Sequence, residues 1–261
     1  MPRTDCMRGV RIMYQFFVPS ENIQGNRILI TGDDVNHIKN VLRMKVGEEI
    51  AVSNGEDGRE YRCGIEELGE EIVCSLRFVK EDGVELPSKI TLFQGLPKAD
   101  KMELIVQKAV ELGVYEVVPV SMARCIVKLD AKKQQSKLAR WQSIAEAAAK
   151  QSKRSIIPQV QPVMTIKQAL SYAKEMDMLF VPYELAEDMS KTRELFEQIK
   201  PGQRIGFFIG PEGGFDESEI TLALENGAQP ITLGKRILRT ETAGMAVLSI
   251  LMYHLEGKDI Q

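Results

Sequence analysis

The residues best suited to chemistry lie in two loops near the C-terminus. Residues 210–215 read Gly-Pro-Glu-Gly-Gly-Phe and directly follow the apolar run 204–209. Gly210, Gly213 and Gly214 let backbone N–H and C=O groups approach a ligand, while Pro211 restricts the turn. In an open parallel sheet, ligands bind beyond the carboxyl ends of strands, where this loop falls. A helix N-terminus after the loop would attract phosphate, but Glu212 repels it, so the charge favours a cationic or neutral ligand. The alternative is a tight strand-to-helix turn with Glu212 in solvent. The second loop, Leu233-Gly234-Lys235-Arg236-Ile237-Leu238-Arg239-Thr240-Glu241-Thr242-Ala243, leads into a final apolar helix. It fails as a nucleotide-triphosphate loop, because Arg236 rather than Ser or Thr follows Lys235 and the upstream glycine is missing. The dinucleotide pattern G-x-G-x-x-G is missing too. Lys235, Arg236 and Arg239 could form a solvated charge run, but Ile237 and Leu238 interrupt it and Glu241 stands at the start of the apolar helix.

The elements that must position these loops follow from patterning. Residues 13–80 contain short strand-like runs at 14–18, 27–30, 49–53, 59–66 and 72–79. Asn-Gly-Glu-Asp-Gly at 54–58 signals a hairpin, and Asp33 and Asp34 are expected to cap a helical run over 37–43. Together these predict a small β-barrel, with a boundary in the turn-rich stretch 81–87. Residues 88–261 alternate strand with helix, which predicts an α/β domain with a mostly parallel sheet. Asp100/Glu103, Thr165/Gln168 and Asp216/Glu219 each have capping-box spacing. The last helix, 241–255, is apolar nearly all round and must be buried in the core or against another subunit. Residues 1–12 read as a disordered tail.

Composition narrows the function. Lys plus Arg total 34 against 37 Asp plus Glu, a net charge of −3, which excludes coating nucleic acid by bulk charge. Any anionic partner must meet a local basic patch. The four cysteines form no CxxC pair and the two histidines lack ligand spacing, so no metal site is expected. Reduced, buried thiols in a cytoplasmic protein are the expectation. No segment reaches the ~20 apolar residues of a membrane span, and no secretory signal is present.

GPEGGF followed by LGKRILRTETA and an apolar terminal helix resembles the RsmE family of 16S ribosomal RNA uridine-N3 methyltransferases, within the SPOUT superfamily. LPKADKMELIVQKAVELGV, AAAKQSKRSIIP, YQFFVP and HIKNVLRMKVGEEI are similar to further stretches of that family, so the resemblance spans residues 13–255. It implies a PUA-like RNA-binding domain, a trefoil-knotted methyltransferase domain, a homodimer, and S-adenosylmethionine as cofactor with 16S ribosomal RNA or the 30S subunit as partner. By position, Gly210, Pro211, Glu212, Gly213, Gly214, Leu233, Gly234, Ile237, Leu238 and Ala243 would line the cofactor site. A sulfonium ligand without phosphate suits the charge of the first loop.

The implied reaction sets further requirements. Deprotonating uracil N3 spreads negative charge onto O2 and O4, which Arg239 would stabilise. Glu241, or alternatively Glu212, would take the proton, although Glu241 could instead only cap the last helix. Lys98, Lys101, Arg154 and, in the small domain, Arg43 are candidate RNA contacts; a solvated lysine surface is their plainer reading. A ribose 2′-O-methyltransferase and a non-catalytic RNA-binding assembly factor are the competing functions.

Overall fold

The computed structural model describes residues 13–81, 83–183 and 188–256. The segment read as a tail, 1–12, lies outside them. Two compact units emerge: residues up to Val84 together with Lys153–Ile156, and Glu85–Ser152 together with Ile157 onward.

The small unit is one sheet of six strands: β1 (Gln15–Phe17), β2 (Ile23–Gln24), β3 (Arg27–Ile30), β4 (Glu49–Ser53), β5 (Glu60–Leu68) and β6 (Ile72–Lys80). The order is β1-β4-β5-β6-β3-β2, antiparallel except for β1 beside β4. The sheet curls around Phe16, Ile28, Ile30, Ile50, Val52, Ile65 and Ile72, with Ile38 supplied by a helical stretch after β3. That stretch starts as α1 (Asp33–Asn36) and continues as a π-helix over His37–Val41. Gly32, at φ 70°, occupies the cap, so Asp33 and Asp34 sit in the first turn instead of capping it. There their charges still favour the helix N-terminus.

The large unit alternates strand and helix: β7 (Lys89–Gly95), α2 (Lys101–Glu111), β8 (Glu116–Ser121), α3 (Ala131–Gln151), β9 (Gln159–Val160), β10 (Met164–Thr165), α4 (Ile166–Tyr172), β11 (Met178–Pro182), α5 (Met189–Glu197), β12 (Arg204–Ile209), α6 (Glu217–Glu225), β13 (Gln229–Ile231) and α7 (Thr240–Glu256). All strand pairs are parallel, in the order β10-β8-β7-β12-β11-β13, with β9 also on β8. β7 and β12 are buried almost throughout, as central strands covered on both faces must be. Phe93 and Phe208 stack across them at 4.4 Å. The chain winds one way from β7 to β8 and occupies the other side with β11 to β13. The crevice beyond the carboxyl ends of β7 and β12 is therefore the topological switch point. After β13 the chain returns over residues 232–239, and α7 packs on α2 and β12. Val247, Leu248, Leu251 and Leu255 bury one face of α7, but Ile250 and Tyr253 are exposed.

Candidate active site

The pairing of Gln94 with Ile209 brings the ends of β7 and β12 level, so the loops after them meet. A Cβ on Gly95 would stand 2.7 Å from Pro211 Cδ, 2.8 Å from Pro211 N and 2.9 Å from Met122 Sδ; only glycine lets the loops touch. The glycine loop folds back on itself: the Gly214 N–H donates to Pro211 O at 2.9 Å, with Gly214 at φ 69°. A Cβ on Gly210 would lie 3.1 Å from the Gly214 carbonyl carbon. Behind the loop, Asp216 and Glu219 form their capping box, and the second carboxylate oxygen of buried Glu219 accepts the Ala123 N–H at 2.7 Å. Arg124 then donates from Nη1 to Gly213 O at 3.2 Å.

Thr240 joins this loop to the last helix. Its hydroxyl donates to Gly210 O at 2.6 Å and accepts from Gln94 Nε2 at 2.9 Å, with Gln94 and Thr240 buried and Gly210 half-buried. Gln94, Gly95, Thr240 and Arg124 were not singled out by the sequence reading. Thr240 had only the signal of lying between Arg239 and Glu241; the others join the loop through contacts distant in sequence.

The charges gather where Lys101 meets both loops. Its Nζ is 3.0 Å from Glu212 Oε1 and 3.4 Å from Glu241 Oε2, and the Lys98 backbone N–H donates to both Glu212 oxygens at 3.1 and 3.3 Å. Burial raises the Glu212 pKa, but the Lys101 hydrogen bond and backbone N–H groups outweigh it and hold the carboxyl below its ordinary value. The hydrogen bond to Glu212 holds the Lys101 ammonium above its own. The Glu212 carboxylate is thus paired and hydrogen-bonded within the protein.

Leu233, Gly234, Leu238 and Ala243 are half-buried, with Gly234 at φ 98°. Ile237 is 90% exposed, so in a single chain it walls no cavity. Arg239 is exposed, and its guanidinium makes no ion pair or side-chain hydrogen bond among the described residues. Lys98 is exposed beside the loop. Arg43 lies exposed in the small unit, to which Arg154 also belongs. Arg154 is 4% exposed, and Lys101 lies against two carboxylates. Among the described residues, no cluster of His, Cys, Asp or Glu could hold a metal, and no helix is long and apolar enough to cross a membrane.

The family model of an RNA methyltransferase domain matches residues 84–252, and that of an RNA methyltransferase PUA domain matches residues 30–75. The ribosomal RNA small subunit methyltransferase E of Bacillus subtilis (strain 168) is 38% identical over 231 residues, covering 87% of this chain and 90% of that protein. The chain belongs to the ribosomal RNA small subunit methyltransferase E family. The family member of Mesomycoplasma hyopneumoniae (strain 232) is 35% identical over 237 residues, 91% of this chain and 98% of that one. A member from Neisseria gonorrhoeae, crystallised bound to S-adenosylmethionine, superposes with a TM-score of 0.75 at 33% identity, over 91% of this chain and 95% of that one. The family's architecture is what the two sheets display: a PUA-like small unit and a SPOUT-type α/β unit.

Proposed function

We propose that this protein transfers a methyl group from S-adenosylmethionine to N3 of a uridine in 16S ribosomal RNA. The observation that carries the reading is the uncharged backbone cradle at the switch-point crevice, closed by Thr240 and held by Gly95 against Pro211. Its glycine carbonyls and N–H groups suit an adenosine without phosphates, and the relative from Neisseria gonorrhoeae carries that cofactor. Gly210–Gly214 and residues 233, 234, 238 and 243 would hold it. When bound, the cofactor supplies an electrophilic methyl group on a sulfonium.

The chain's own residues meet the remaining requirements. Arg239, whose guanidinium has no ion-pair or side-chain hydrogen-bond partner among the described residues, stabilises the uracil anion; a guanidinium engaged by a carboxylate could not do so as well. Glu241, in the first turn of α7, accepts the N3 proton. Alignment of N3 with the methyl group for in-line displacement supplies most of the acceleration.

Exposed Lys98 and Arg43 contact RNA phosphate. Among the described residues, the non-glycine positions with left-handed backbone are Arg43, Ala99 and Lys153; two of these are Arg43 itself and the neighbour of Lys98. Residues 13–80 would serve RNA binding and 88–261 methyl transfer, with Lys153–Ile156 grouped with the small unit. The protein works as a cytoplasmic homodimer, with Ile250 and Tyr253 of α7, and Ile237, meeting a second copy; the unpaired buried thiols of Cys63, Cys74 and Cys125 suit a reducing compartment.

The test is incubation with labelled S-adenosylmethionine and either 30S subunits or free 16S RNA, followed by mass spectrometry of the nucleosides. N3-methyluridine is expected, and Arg239→Ala should lower its formation at least about 100-fold, as loss of one oxyanion-stabilising group does elsewhere. Label on ribose, or no transfer by the unaltered protein, would overturn the reading.

A further inference from the structure

Lys101 opens α2, at the point where three segments distant in sequence converge. The loop after β7 leads into it, Glu212 reaches it from the loop after β12, and Glu241 from the start of α7. The two carboxylates are held differently. Glu212 also accepts the Lys98 N–H, so it stays anchored without Lys101. Glu241 Oε2 is buried, and among the described residues its polar contact is the 3.4 Å approach of the Lys101 ammonium. The side chains of Lys101, Glu212 and Glu241 are 30%, 26% and 17% exposed, so solvent screens this triad less than an open surface pair.

We propose that Lys101 is a positioning residue for methyl transfer, setting Glu241 against the cofactor loop, and not a ligand of RNA phosphate. The inference rests on the methyltransferase reading above. The two roles differ in where their free energy appears. A phosphate contact strengthens RNA binding before and during reaction alike, so its loss raises KM and lowers the salt dependence. A group that fixes the proton acceptor acts in the transition state, so its loss lowers kcat. Without the ammonium, Glu241 has no side-chain partner among the described residues and is repelled by Glu212, while the cofactor loop keeps its Lys98 anchor.

The experiment is steady-state methylation of 30S subunits by the full chain and by K101M, K101R and K101Q, alongside calorimetry with S-adenosylmethionine. K101M is expected to lower kcat at least about tenfold, while changing the RNA KM and the cofactor Kd less than about threefold. K101R should recover kcat to within about threefold, because its longer fork still reaches both carboxylates. In an E241Q background, K101M should add less than about a twofold further loss, since the group it positions is already gone. A salt-sensitive rise in KM at unchanged kcat would overturn the assignment and restore the phosphate role. So would full additivity of K101M with E241Q. If K101M lacks the melting profile of the unaltered protein, K101Q and K101R decide by the same criteria. Failure of the unaltered protein to transfer methyl overturns the proposed function itself; an active protein indifferent to K101M overturns the Lys101 assignment alone.

Discussion

Thr240→Val should separate the stability of the cofactor cradle from its chemistry. Valine keeps the shape of threonine but replaces the hydroxyl that donates to Gly210 O at 2.6 Å and accepts from Gln94 Nε2 at 2.9 Å. Gln94 keeps one bond, to Gly95 O at 3.0 Å, so its amide loses one partner of two. The Gly210 carbonyl loses the donor that fixes its direction. A buried polar group left unsatisfied costs about 1–3 kcal/mol, which applies to the Gly210 carbonyl, and the one bond Gln94 loses adds about 1 kcal/mol, so the loss is roughly 2–4 kcal/mol. At about 2–4 °C per kcal/mol for a protein of this size, the melting temperature should fall by roughly 4–16 °C. Thr240→Ser keeps the hydroxyl and should lose only about 1 kcal/mol, the value of the deleted methyl. Calorimetric melting measures the first effect, and titration with S-adenosylmethionine should show affinity falling about tenfold, the equivalent of 1.4 kcal/mol spent on reordering the loop. If Thr240→Val matched the unaltered protein in melting and in binding, Thr240 would not close the cradle.

Other perturbations probe separate parts. Gly95→Ala forces Pro211 away from a methyl that would otherwise sit at 2.7 Å, so cofactor binding should be lost before global folding; calorimetric titration beside a melting curve checks this. Glu212, held below its ordinary pKa of 4.5, contributes stability that is complete above that value and is lost as pH falls through the depressed one. The stability gap between the unaltered protein and Glu212→Gln, from urea unfolding, should therefore hold steady above the ordinary value of 4.5 and shrink as pH falls below it, and a gap that widened would contradict the pairing. Burial pushes the Cys63 and Cys74 thiols up to about 12, so a thiol reagent at about pH 8 should leave both unlabelled until the protein unfolds. Labelling of either in the native protein at the rate of a free thiol would contradict it.

What was legible in the sequence was mostly local. Asp216/Glu219 and Thr165/Gln168 both close the capping boxes their spacing announces. Asp100/Glu103 has the same spacing and does not: Asp100 caps nothing, its carboxylate lies 3.6 Å from Lys137, and Glu103 pairs with Arg140 at 3.1 Å. Tertiary partners there outbid the local motif. The two-residue strands β2, β9 and β10 were too short to leave a period. The apolar last helix is as expected in extent, but its pattern could not say which residues a single chain leaves open, and Ile250 and Tyr253 are among them. Site chemistry was readable where residues lie together in sequence, as in the glycine loop. It was silent where partners come from afar: nothing local to Lys101 announces Glu212 and Glu241 around it, and nothing local to Arg154 announces its burial.

The most direct measurement is a crystal structure with S-adenosylmethionine bound. Density for the cofactor should lie beyond the ends of β7 and β12, touching the backbone of Gly210 and of Leu238, with Arg239 open towards the methyl group. A cofactor seated elsewhere on the molecule, with that crevice unfilled, would contradict the account.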